Sequence, residues 1–206
     1  MNPQKAAENL EVIRKLMERP IRFSTMSGLS AILAGAAALA GVLLDAHFWR
    51  RYDARTAICV NVAVWAGVLA AALAGVLVLT RLRERRQGMP PWSALKMRIL
   101  LTMLGPFVAG AGLTIVIVGR WYLTGATDAW DQGLLIPAIW MLFYGVCLWQ
   151  LGAFSPPEVR GLGAAFVLAG LAAAVFCPYW PHVSLGVTFG GFHILYGVIV
   201  YAKYGG

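Results

Sequence analysis

Six apolar runs, at about 26–44, 57–79, 97–118, 133–152, 161–177 and 185–202, constrain this chain more than any other feature in it. Each is close to the ~20 residues an α-helix needs to cross a hydrocarbon core about 30 Å thick. Water is absent at that depth, so a spanning segment must satisfy its own backbone N–H and C=O groups. A strand barrel alternates apolar and polar residues, and these runs do not. The expectation is an all-α, polytopic integral membrane protein with six transmembrane helices in a single membrane domain over 1–206. Composition agrees. The chain is 60% hydrophobic and 13% charged, where a soluble domain is about 45–50% apolar and about 25% charged.

The formal charge is +8, and its placement argues for a membrane rather than nucleic acid. With a cytoplasmic N-terminus, 13 of the 17 basic residues fall on inside segments, leaving Arg50, Arg51, Arg55 and Arg120 outside. This positive-inside bias predicts a membrane protein with both termini cytoplasmic. Anionic lipid headgroups are the expected partner of the inside basic segments, above all RLRERRQGMPPWSALKMR. The first run follows a stretch of mixed charge and precedes no A-x-A-like site, so it reads as a retained span, not a signal peptide.

Punctuation refines the picture. Residues 3–18 read as an interfacial helix with Pro3 at its first position and a stripe of Ala6, Leu10, Ile13 and Met17. Ser24 or Thr25 is placed to cap the first span, and Ser155 with Glu158 reads as a capping box opening the fifth. Pro106 and Pro137 fall inside the third and fourth runs, where each is expected to bend a helix. Asp45 falls beyond the first run, in an outer loop DAHFWRRYDAR.

The last run, VSLGVTFGGFHILYGVIVYAK, carries the strongest candidate chemistry. At α-helical spacing Gly186, Gly190, His193 and Gly197 share one stripe. Glycines there admit a neighbouring backbone at close range, as do Gly35 and Gly41 in the first span. An imidazole at mid-membrane is costly toward lipid and should face protein or a water-filled cavity. His193 is therefore the lead ligand-binding candidate, with Tyr196 and Tyr144 as neighbours and Trp140 and Asn61 as further lining residues. A neutral histidine bonded to a neighbouring helix is the structural counterpart of that reading. His47 and His182 lie toward the outer surface near acidic residues, but no HxxxH pair exists, so no metal site and no cofactor are predicted. Cys59, Cys147 and Cys177 form no CxxC pair; Cys59 and Cys177 lie toward the same side, leaving a disulfide open as the lesser expectation.

The central parts of the spans hold no Asp, Glu, Lys or Arg, which argues against a proton pump or ion-coupled carrier. GxSxG, HExxH and phosphate-loop patterns are also missing, so an enzyme is not expected.

The two ends, MERPIRFSTMSGLSA and FGGFHILYGVIVYAKYGG, resemble those of an uncharacterised family of small six-helix bacterial inner-membrane proteins. In size and helix number the chain is also similar to the substrate-binding subunits of energy-coupling-factor vitamin transporters, a likeness that implies an ATPase partner. The first functional expectation is a protein that binds or transports a small, largely apolar or aromatic molecule in an outward-facing pocket of the helix bundle. The alternative is a structural or regulatory subunit that binds another membrane protein, a second copy or lipid through its small-residue helix faces.

Overall fold

Apolar segments that must satisfy their own backbones become helices here. The structure, a computed structural model, describes residues 28–86, 88, 94–125, 132–153, 155–176 and 181–204. Among the described residues six helices follow in order: α1 (Gly28–Trp49), α2 (Ala54–Arg86), α3 (Ala94–Thr124), α4 (Ile136–Leu151), α5 (Pro157–Phe176) and α6 (Pro181–Tyr204). No strand occurs among the described residues. Five of the six are long and apolar enough to cross a membrane, and α4 is apolar but has only 16 residues. At 1.5 Å per residue α4 is about 24 Å long, short of the ~30 Å core. The expected helix over 3–18, the caps at Ser24 or Thr25, and Cys177 lie outside the described residues. Cys59 is exposed and Cys147 buried, both as free thiols.

Several boundaries depart from the expectation for local reasons. Helices α2 and α3 overrun their apolar cores, placing Arg81–Arg86, Lys96 and Arg98 on helix rather than loop. Leu, Arg, Glu and Lys are good helix formers, and Gly88, beyond the end of α2, is left-handed at φ 66°. Gly125, at φ 63°, ends α3, its N–H bonded to the Trp121 carbonyl at 2.9 Å. Pro106 lies inside α3 as expected. Pro137 instead occupies the first turn of α4, where its missing N–H costs nothing, so it starts that helix and does not bend it. The capping box is also absent. Ser155 Oγ is buried without a partner, and Glu158 turns to α6, accepting from Lys203 Nζ at 2.5 Å and from Tyr204 Oη at 3.2 Å. A charged donor is a stronger partner for a carboxylate than a neutral backbone N–H.

Packing divides the bundle into two glycine-sealed pairs. A Cβ added at Gly28 would lie 2.5 Å from the Gly197 carbonyl oxygen, and one at Gly197 would lie 2.6 Å from that of Gly28. Farther along the same α1–α6 crossing, a Cβ at Gly35 would meet the Gly190 carbonyl oxygen at 2.7 Å. The α4–α5 pair repeats the arrangement with Gly145 and Gly163, at 2.9 and 2.8 Å. Backbones this close require bare α-carbons. Gly41 does similar work toward α2, against the Val68 side chain. The core between the pairs includes Met141 and Phe166, both at 0% exposure, with Tyr196 and Val200 from α6. Helix α2 packs chiefly on α1, and α3 on α4, so these two chain neighbours flank the bundle with no extended packing between them. Near their linked ends buried Glu84 of α2 pairs with Lys96 of α3, with Arg81 3.8 Å away.

Candidate functional site

His193 sits where α6 changes its winding. Pro181–Leu185 and His193–Tyr204 are α-helical, but Gly186–Phe192 between them is π-helical. An i→i+5 turn holds more residues than an α-turn, so faces extrapolated at α spacing drift apart across it; such turns also occur often at functional sites. The expected single stripe is accordingly split. Gly190 and Gly197 face α1, whereas His193 faces α4. Gly186 makes only ordinary contact, with Val42 at 3.9 Å.

The imidazole is buried, and its Nε2 lies 2.7 Å from the Tyr144 hydroxyl. Nδ1 is buried without a hydrogen-bond partner. Rings close the rest of the surroundings. Phe189 stacks on the imidazole at 15°, Phe166 meets it edge-on at 5.4 Å, and Tyr144 in turn packs on Phe166 at 4.9 Å. The two cavities described below do not include His193. The ring thus has one side-chain hydrogen-bond partner, the Tyr144 hydroxyl, within aromatic walls.

The other expected lining residues disperse. Tyr196 is buried within the core. Trp140 donates from Nε1 to Thr114 Oγ1 at 3.0 Å and lies against Gly110, fastening α4 to α3. Asn61 belongs to a different constellation, which the sequence reading did not assemble.

That constellation centres on Asp45. The expectation placed this residue in an outer loop; it lies in the last turns of α1 and is 2% exposed. The helix runs on to Trp49 because the residues after the apolar run still propagate it, carrying Asp45 inward. Its Oδ2 accepts from Asn61 Nδ2 at 2.7 Å and from Trp65 Nε1 at 3.4 Å, both on α2. His182 Nδ1, at the start of α6, lies 3.3 Å from the same oxygen. Two donors from α2, with a ring nitrogen of α6 beside them, thus converge on one buried carboxyl group, the arrangement that keeps a buried polar group tolerable. The available signal was spacing: Asn61 and Trp65 are one turn apart, which puts an amide and an indole N–H on one face. His47, by contrast, is exposed on α1 and meets Phe48 edge-on. Among the described residues no three His, Cys, Asp or Glu converge as metal ligands.

Two shallow cavities open beside this constellation. One, of about 480 Å³, runs between α1 and α6 and is lined by Leu39, Val42, His182, Val183, Gly186, Val187 and Gly191. The other, of about 430 Å³, lies at the end of α1 against Leu43, Ala46, His47, Arg50 and Arg51. The chain matches no protein-family model, no curated protein and no solved structure.

Proposed function

We propose that this chain is a structural or regulatory subunit of a bacterial inner membrane, crossing it six times with both termini cytoplasmic, and that it associates with another membrane protein or a second copy through α2. One observation carries the reading. Ala63, Gly67, Ala70 and Ala74 form an exposed stripe on the side of α2 turned away from α1. A Cβ added at Gly67 would meet nothing within 4 Å. Uncovered small-residue faces are where membrane helices approach one another closely. The filled surroundings of His193 count against the alternative of a central, outward-facing ligand pocket, and the absence of mid-span acids counts against an ion-coupled carrier.

Cysteine cross-linking in native membranes tests this. Ala70→Cys should give a discrete covalent adduct, to a partner or to a second copy, while Leu168→Cys on the exposed face of α5 should not. Equal, diffuse adducts from both positions, or none from Ala70→Cys, would remove the basis for association through α2.

A further inference from the structure

The two cavities border one face of α1, along which a single track would join them. Leu39, Val42, Leu43, Ala46, His47 and Arg50 follow the i, i+3, i+4, i+7, i+8, i+11 pattern of a single helix face. From Leu39 to Arg50 that face extends about 16 Å at 1.5 Å per residue, roughly half of a 30 Å hydrocarbon core and so about one leaflet. Its composition changes along the way. The inner half is apolar, floored by Gly186 and Gly191 of the π-helical segment; the outer half is basic.

We propose that this track holds one anionic phospholipid, its acyl chain in the α1–α6 groove and its phosphate at His47, Arg50 and Arg51. Shape and charge both favour that occupant. The glycines leave room for a chain without a side chain to displace, and an added Cβ at Gly191 would meet only the Gly186 carbonyl oxygen, at 3.9 Å. Arg50 and Arg51 are exposed, and among the described residues neither has a carboxylate within ion-pair distance. His182 stands at the junction. With Nδ1 turned to Asp45, its Nε2 is the nitrogen left for the headgroup side of the groove. Asp45 itself is buried and lines neither cavity. The site is independent of the α2 face and stands or falls without it.

Native mass spectrometry of the full chain in neutral detergent, titrated with phosphatidylglycerol or phosphatidylcholine, tests the assignment. Wild type should bind phosphatidylglycerol roughly tenfold more tightly, as expected of two guanidinium groups at a lipid headgroup. The double variant Arg50→Ala/Arg51→Ala should lose that preference. Arg120→Ala, on α3 and lining neither cavity, should keep it. Gly191→Leu should lower binding of both lipids by obstructing the chain, with an unfolding midpoint close to wild type to show that the fold persists. Undiminished preference in the Arg50/Arg51 variant, or loss of preference in the Arg120 variant alone, would overturn the proposal.

Discussion

Two buried polar residues hold this molecule in different ways. His193 has a single side-chain partner, the Tyr144 hydroxyl at 2.7 Å, within aromatic walls. Removing the hydroxyl leaves a ring nitrogen unpaired in an apolar setting, so Tyr144→Phe should destabilise the fold by about 0.5–1.5 kcal/mol, the range of single hydrogen bonds inside membranes. Replacing both partners should recover most of that loss, because an apolar pair leaves nothing unsatisfied. Denaturing-detergent titrations of Tyr144→Phe, His193→Phe and the double variant measure the coupling; strict additivity would mean that the contact contributes nothing. Asp45 has donors from Asn61 and Trp65 and a third polar neighbour in His182. Asp45→Ala strands these groups at once and should cost roughly 2–4 kcal/mol. His182→Ala should cost less, since that side chain is 32% exposed and water can replace it. The same titration ranks the two, and an equal or larger effect at His182 would contradict this account.

At the scale of elements, the glycines sort into closed and open sites. Gly28 and Gly197 meet carbonyl to α-carbon, and so do Gly145 and Gly163. A methyl at Gly163 would meet only backbone, and one at Gly197 would meet the Gly28 carbonyl oxygen and the Ile32 nitrogen as well as an Ile32 side-chain carbon, so Gly→Ala at either should cost about 1–3 kcal/mol by forcing helices apart. Gly75 and Gly105 have open space around them. Alanine there should be neutral within about 0.5 kcal/mol or slightly stabilising, since glycine weakens helices. Thermal midpoints in one detergent check the contrast, and equal responses at Gly197 and Gly75 would refute the tight crossing. The sequence makes small faces visible on α1 and α6 but not their pairing. Gly186 and Gly190 look equivalent at α spacing, yet the π-helical turn leaves Gly190 tight against Leu39 and Gly186 in ordinary contact.

For the whole molecule, the order of packing departs from the order of the chain. Helices α2 and α3 are consecutive but pack on α1 and α4 respectively, joined near one end by Glu84 and Lys96. Spin labels at the exposed Val62 and Val116, on these two helices, should therefore lie farther apart than the 8–10 Å axis separation of packed neighbours. A distance distribution centred near contact would show a closed ring instead. What the sequence determined by itself was the helical class and the approximate positions of the apolar helices. Each apolar segment must satisfy its own backbone, and that requirement is local. Tertiary structure alone decided which polar groups meet. Asp45, Asn61 and His182 come from three helices, and only their crossing makes a buried carboxylate out of a residue that its neighbours in the chain placed in a loop. It also decided that His193 would face a tyrosine and not an open cavity, because the π-helical turn separates the ring from the glycines beside which it is written.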